Sequence, residues 1–144
     1  DIRNNSAWNQ RYFVIAHTTG FKDDIIEREL DYVEKRIESC PDNESSWNYL
    51  RGIARFRSTN LNDQRIWKFC QNLYENHFLK DDFNNRQWKF LLGYMIELLI
   101  DDDQEEKRNE NKKMITDLGE KLALQIDPIR KKYWRYIQEQ YATE

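Results

Sequence analysis

The chain has 144 residues and a net charge of −3, from 26 acidic and 23 basic side chains. Hydrophobic residues make up 39% and charged residues 34%, with only four glycines and two prolines, which is typical of long helices with solvated faces. Neither a basic cluster that could follow a phosphate backbone nor an apolar run of about 18 residues is present, which argues against nucleic-acid binding and a membrane span. Two lone cysteines, Cys40 and Cys70, favour a reducing, cytoplasmic location.

A short phrase recurs along the chain, with Asn four residues before Trp. Its copies are Asn4 with Trp8, Asn43 with Trp47 and Asn84 with Trp88, and a degraded copy has Arg130 and Trp134. The Trp spacings of 39 and 41 residues fit two helices and two short connections. We therefore predict a single helical-repeat domain over 1–144, a piece of a longer array, with repeats at about 1–40, 41–81 and 82–127 and a terminal helix at 128–144.

Hydrophobic periodicity predicts seven helices, at 6–18, 24–39, 44–57, 62–79, 85–100, 105–126 and 129–141. One buried face is Ile26, Leu30, Val33 and Ile37; another is Ile115, Leu118, Leu122 and Ile126. The predicted fold is all-α, a right-handed α-solenoid (α-α superhelix) of antiparallel hairpins. The last helix should bury Ile129, Tyr133, Trp134, Ile137 and Tyr141, and its outer face should be polar, with Lys131, Lys132, Gln138 and Glu139.

The phrase has a structural explanation. An Asn at the N-cap accepts a hydrogen bond from the first helical turn, worth about 1 kcal/mol. The Trp then falls at the fourth helical position, where its ring can fill the space between neighbouring hairpins. Asn84 and Gln87 also have the spacing of a capping box. The phrase therefore builds a scaffold and performs no chemistry by itself.

The particular residues of these phrases and of the segments around them indicate a family. The segments DIRNNSAWNQRYFVI, ELDYVEKRIESCPDNESSWNYLRGI and IRKKYWRYI resemble the α subunit of the protein farnesyltransferase and type I geranylgeranyltransferase heterodimers, in its C-terminal portion. The resemblance implies a crescent of hairpins around a β subunit that holds the catalytic zinc, with magnesium as an open option. It also implies transfer of a prenyl group from its diphosphate to the Cys of a C-terminal C-a-a-X sequence.

The family's Lys, Tyr and Gln near the substrates belong to phrases of the KNYQAW type, and this chain departs from that pattern. Its first phrase has Arg3 where the Lys would stand, so no catalytic role is carried over and the chain alone is predicted to be inactive. Arg3, Asn5 and Glu44 lie at the same helix ends and are predicted contacts to the β subunit. The sequence does not distinguish farnesyl from geranylgeranyl transfer, because the family sets that choice in the β chain.

Other chemistry finds little support in the sequence. His17, His77, Cys40 and Cys70 lack metal-ligand spacing, and no nucleophile has a base nearby. The run DDDQEEKRNEN at 101–111 is interpreted as a solvated hairpin loop rather than a magnesium-binding motif. One rival function stays open, a non-enzymatic helical-repeat adaptor that binds a peptide or protein on its concave face. Tetratricopeptide arrays, with their period of about 34 residues, fit the spacing poorly.

Overall fold

The computed structural model describes residues 5–57 and 64–142. In this part of the chain it contains seven α-helices and no strand, which confirms the predicted all-α class. The α-carbon contacts divide the chain into two compact units, Asp1–Asn60 and Leu61–Glu144, here called unit 1 and unit 2. The division falls inside the second predicted repeat. The predicted single domain and its repeat limits stay a prediction.

Unit 1 contains α1 (Asn5–His17), α2 (Asp23–Ser39) and α3 (Glu44–Ala54). Gly20 closes the turn after α1, since its positive φ of 73° lets its N–H reach the carbonyl of Ile15 at 2.8 Å. The α3 helix packs against both other helices of the unit. The predicted α2 face is fully buried and meets the apolar face of α3, and these core side chains are Ile26, Leu30, Val33, Ile37, Trp47, Leu50 and Ile53.

Unit 2 contains α4 (Gln64–Leu73), α5 (Lys89–Asp101), α6 (Arg108–Lys121) and α7 (Lys131–Tyr141). Short 3-10 turns lead into three of them, at Asn85–Trp88, Glu105–Lys107 and Pro128–Arg130. The α6 helix packs against α5 and α7, and α4 packs against α5. The α5 helix is apolar on most of its surface because neighbours cover it, and its buried residues are Leu91, Leu92, Tyr94, Met95, Ile96 and Leu99.

Two of these helices end in a π-helical turn, which the sequence did not predict. The turns are Tyr74–Phe78 after α4 and Leu122–Ile126 after α6. Their hydrogen bonds span five residues, from Leu79 N to the Tyr74 carbonyl at 3.0 Å and from Asp127 N to the Leu122 carbonyl at 2.8 Å. The first turn explains how Leu73 and Phe78, five residues apart, can both be buried.

When the 3-10 and π-helical turns are counted with the helices that they adjoin, the helix limits agree with the predictions to within two residues, except that α3 ends at Ala54 rather than at 57. The predicted start of the fourth helix at 62 lies outside the described residues. The predicted burial pattern of the last helix is confirmed for the buried Trp134 and Ile137 and for the exposed Lys131, Lys132 and Glu139, and is wrong for the other residues. Ile129 is 97% exposed, and Tyr133 and Tyr141 are also exposed, whereas Gln138, predicted to face solvent, is buried. The buried residues of α7 are Trp134, Ile137 and Gln138, and its three tyrosines face outward.

Candidate functional site

The four phrase tryptophans occupy equivalent positions. Trp8, Trp47 and Trp134 are the fourth residues of α1, α3 and α7, and Trp88 ends the four-residue turn before α5. All four are at most 5% exposed. The rings of Trp8, Trp88 and Trp134 have aromatic neighbours, such as Trp8 on Tyr49 at a centroid distance of 4.8 Å. The phrases therefore place large apolar side chains one turn into the helices, where they support packing.

The indole N–H groups of three of these tryptophans donate hydrogen bonds to residues that come shortly before their own phrase. Trp47 donates to the Pro41 carbonyl at 3.0 Å. Trp88 and Trp134 instead donate to carboxylates seven residues earlier, Asp81 at 3.0 Å and Asp127 at 3.1 Å. The buried indoles are thus satisfied without any external ligand.

The two described Asn residues of the phrases behave differently. Asn43 makes the predicted N-cap, since its Oδ1 accepts from Ser45 N at 3.2 Å. Asn84 also stands at a cap position, but its side chain makes no cap hydrogen bond, so that prediction was wrong. Asn4 lies outside the described residues.

Asp81 replaces Asn84 as the organiser of its turn. Its Oδ1 accepts from the N–H groups of Phe83 at 3.2 Å and Asn84 at 2.8 Å, and its Oδ2 accepts from the side chain of Gln87 at 2.7 Å. Gln87 therefore does not form the predicted capping box. These hydrogen bonds, that of Asn84 N first, hold the pKa of Asp81 below its ordinary value. The available sequence signal was an Asp seven residues before a Trp, which recurs at Asp127.

Unit 1 contains a buried carboxylate that the sequence analysis missed. Glu29 of α2 has no exposed surface, and both its oxygens accept from Arg11 of α1, at 2.5 and 2.8 Å. The hydroxyl of Tyr49 on α3 donates to the same group at 2.6 Å. Arg11 also stacks on the Tyr32 ring at 3.8 Å. This group, called the Glu29 centre, joins all three helices of unit 1.

The ionisation of the Glu29 centre follows from these contacts. Burial raises the pKa of Glu29, but the hydrogen bonds from Arg11 and Tyr49 and the charge of Arg11 outweigh it, so the pKa lies below its ordinary value. The hydrogen bond to Glu29 raises the pKa of Arg11. Burial and the neighbouring carboxylate raise the pKa of Tyr49. The centre is therefore a stable ion pair with a neutral phenol, suited to holding helices together.

A second polar network joins α6 and α7 in unit 2. The Gln138 side chain donates to the Thr116 carbonyl at 2.9 Å and to Glu120 at 3.3 Å. Arg135 binds Glu120 and donates to Gln138 at 2.9 Å. The amide lies directly on Gly119, where an added Cβ would come within 2.8 Å of Gln138 Cγ. This network, like the Glu29 centre, is structural.

The predicted β-subunit contacts lie at helix starts. Asn5 is the first residue of α1 and Glu44 the first of α3, and both are exposed. Arg3 lies outside the described residues. Exposure leaves Asn5 and Glu44 available to a partner, and their role as contacts stays a prediction.

The residues considered for metal binding are dispersed. Over residues 5–57 and 64–142, no three His, Cys, Asp or Glu side chains converge closely enough to hold a metal ion. Cys70 is a buried, free thiol in the core, and Cys40 is half-buried and free. Within the acidic run at 101–111, Asp102 accepts from Asn111 at 3.0 Å and fixes the connection between α5 and α6. None of the described helices combines the length and apolar character that crossing a bilayer requires.

Comparisons with known proteins fit this scaffold. The family model described as "Protein prenyltransferase alpha subunit repeat" matches residues 26–56, which include most of α2 and all of α3. Two similar relatives are subunits alpha of protein farnesyltransferase/geranylgeranyltransferase type-1. The one from Pisum sativum is 34% identical over 93% of this chain and 43% of its own length, and the one from Dictyostelium discoideum is 30% identical over 94% and 39%.

A solved structure gives the same result. A chain of Candida albicans protein geranylgeranyltransferase-I, complexed with GGPP, matches with a TM-score of 0.72 and 30% identity over 98% of this chain. The match covers 42% of that chain, and our chain spans about two fifths of the length of the curated relatives above. The resemblance to the α subunit is confirmed, and its placement in the C-terminal portion stays a prediction. The chain is thus similar, along nearly its whole length, to α subunits of protein prenyltransferases, and part of it matches the repeat of that family.

Proposed function

We propose that this chain is the α-subunit part of a heterodimeric protein prenyltransferase, in which it is scaffold and β-subunit interface. The complex would transfer a farnesyl or geranylgeranyl group from its diphosphate to the Cys of a C-terminal C-a-a-X protein. The observation that carries the proposal is the similarity, over more than nine tenths of the chain, to relatives named as subunit alpha of such enzymes.

The internal contacts support the scaffold role. In unit 1 the most deeply buried charge, Glu29, is bound by Arg11 and Tyr49, so its oxygens are committed to helix packing. In unit 2 the carboxylates of Asp81 and Asp127 are bound by the indoles of their own turns. Because these polar groups are engaged within the chain, we place the reaction chemistry on the partner and expect this chain alone to be inactive.

The exposed helix starts support the interface role. Asn5 and Glu44 carry polar side chains beside phrase tryptophans that hold the helix starts in place. Arg3 is assigned to the same surface from its place in the sequence. Because buried tryptophans hold the starts of α1 and α3, little backbone freedom is lost there when a partner binds.

The cofactor and the reaction are assigned to the complex. We assign the zinc to the β subunit, as the family resemblance implies. When bound, zinc lowers the pKa of the substrate thiol, and cationic groups stabilise the departing diphosphate. Magnesium is an open option for that diphosphate. We expect the complex to work in the cytoplasm, where its C-a-a-X substrates are made.

Reconstitution tests the proposal. The full-length chain and the β subunit of the same organism would be expressed separately and together, and prenyl transfer to a C-a-a-X peptide would be measured. We expect stoichiometric copurification and transfer from the pair only. A chain that transfers prenyl groups without a β subunit would refute the assignment of the reaction chemistry to the β subunit. A chain that binds assorted peptides but no β subunit would favour the helical-repeat adaptor.

A further inference from the structure

Two large apolar side chains of unit 2 are almost entirely exposed. Phe83 is 99% exposed and Ile129 is 97% exposed, more than any other large hydrophobic residue that the structure describes. Each stands five residues before a phrase tryptophan, Trp88 and Trp134 respectively. The two exposed residues therefore occupy the same position in successive repeats, although they are far apart in sequence.

Each of these residues stands in a turn that is already fixed. The carboxylate of Asp81 accepts from the N–H of Phe83 and from the indole of Trp88. The carboxylate of Asp127, two residues before Ile129, accepts from the indole of Trp134 in the same way. Because the backbone on both sides is tied to a buried Trp, either side chain could bind a partner with little loss of backbone freedom.

Both turns lie at the same end of unit 2. The 3-10 turn Asn85–Trp88, just after Phe83, packs against Leu122–Ile126, just before the turn that carries Ile129. Gly93 of α5 would place a Cβ 3.3 Å from the Trp134 ring, so α5 and α7 are direct neighbours. One partner surface could therefore contact both side chains.

The surroundings of Ile129 are positively charged. Arg130, Lys131 and Lys132 follow it directly and are all exposed. Two carboxylates lie near these basic residues: Asp127, whose Oδ2 lies 4.0 Å from Arg130 and accepts from Trp134, and Glu120, which interacts with Lys131. A partner that covers Ile129 would therefore need acidic side chains around an apolar centre. Unit 1 differs at the equivalent position, where Asp42 stands five residues before Trp47.

We propose that Phe83 and Ile129 are the two apolar anchors by which unit 2 binds the prenyltransferase β subunit, on a surface with two apolar sockets, the second rimmed by acidic groups. The inference rests on the proposed function and deepens it by naming contacts. At protein interfaces a few side chains that fill pockets on the partner carry most of the binding energy, whereas their surroundings contribute little.

Binding measurements on the full-length chain test the anchors. The affinity for the purified β subunit would be measured for the wild type, Phe83→Ser, Ile129→Ser and the double variant. We expect weakening of about 30-fold for Phe83→Ser and about tenfold for Ile129→Ser, as for truncated hot spots. Phe13→Ser is the matched control, since Phe13 of α1 is also an exposed aromatic residue, at 56%. Far-UV circular dichroism would show unchanged helix content in the anchor variants, because Phe83 and Ile129 contact little of their own chain.

Three outcomes are distinguishable. Loss of affinity in both anchor variants with binding kept in Phe13→Ser supports the proposal. Wild-type affinity in the double variant, or an equal loss in the control, overturns the anchors and leaves the proposed function intact. A wild-type chain that does not bind the β subunit overturns the anchors and the proposed function together.

Discussion

The two units carry the same Asn–Trp phrase but stabilise it with different polar chemistry. In unit 1 the phrase Trp47 donates to a backbone carbonyl, Asn43 caps its helix, and the buried Glu29 centre joins the helices. In unit 2 the phrase tryptophans donate to carboxylates at turns, and α5 contributes six buried residues to the core. The repeat therefore fixes where the Trp lies and leaves the polar contacts free to vary.

This difference matters for how each unit responds to substitution and to acid. Removing one partner of a buried ion pair lowers the free energy of unfolding strongly, because the other charge stays desolvated. Removing a partner of a carboxylate in an exposed turn lowers it less, because water replaces the lost partner. Unit 1 should therefore be the more sensitive to loss of a single charge.

The largest expected effect is at the Glu29 centre. Glu29→Gln leaves Arg11 without a carboxylate, and we expect a loss of about 3 kcal/mol in the free energy of unfolding. Urea unfolding followed by tryptophan fluorescence would measure it. The matched control is Glu120→Gln in unit 2, where the carboxylate that binds Arg135 is partly exposed. Equal losses in the two variants would contradict the contrast between the units.

The next largest effects are expected from two glycine substitutions, which should change the unfolding free energy in opposite directions in the two units. Gly119→Ala in α6 would press a methyl group against Gln138, and we expect a loss of about 1–2 kcal/mol in unfolding free energy. Gly52→Ala in α3 would meet only Tyr12 at 3.6 Å, an ordinary contact, and should gain about 0.5 kcal/mol from helix propensity. Thermal melts of both variants would measure this. A stabilising Gly119→Ala would show that Gln138 moves aside without cost.

The two cap positions offer a smaller, direct test. Asn43→Ala removes the hydrogen bond to Ser45 N, and we expect a loss of about 1 kcal/mol in unfolding free energy. Asn84→Ala removes no cap hydrogen bond and should change it by less than about 0.5 kcal/mol. Chemical denaturation of the pair is the measurement. The result that would count against the structure is a larger loss at Asn84 than at Asn43.

Acid should weaken both units through different groups. The pKa values of Glu29 and Asp81 are lower in the folded chain than their ordinary values of 4.5 and 3.8. These two carboxylates therefore stabilise the folded chain at pH values above their ordinary pKa values. That stabilisation is lost as the pH falls through their lower pKa values in the folded chain. Melting temperatures across this range would show a decline, reduced in Glu29→Gln and in Asp81→Asn. An unchanged decline in both variants would assign acid sensitivity to other groups.

Helical periodicity predicted the elements well, and specific polar contacts poorly. The α2 face from Ile26 to Ile37 is buried as expected, because spacing alone decides which side chains share a helix face. The same spacing placed Glu29 on that face, three residues after Ile26, yet its partner Arg11 is on another helix. Contacts between helices depend on side-chain reach, which single-sequence periodicity does not contain.

In the last helix, periodicity predicted burial for residues that the structure leaves exposed. Periodicity assigned Ile129 and Tyr133 to a buried face, but α7 packs mainly against α6 and the turns Leu122–Ile126 and Pro128–Arg130, and its buried stripe is narrow, with Trp134 and Ile137. Gln138 is buried instead because Thr116, Glu120 and Gly119 provide a site that fits its amide. The number of neighbours available to a helix, which periodicity does not reveal, decided both results.

The most direct test of the subunit role is a tagged pull-down of the full-length chain from its own cells, with mass spectrometry of the bound proteins. We predict one stoichiometric partner with a zinc-ligand set, and prenyl transfer to C-a-a-X peptides in the eluate. Recovery of assorted peptides or proteins, with no such partner and no transfer, would contradict the proposed function.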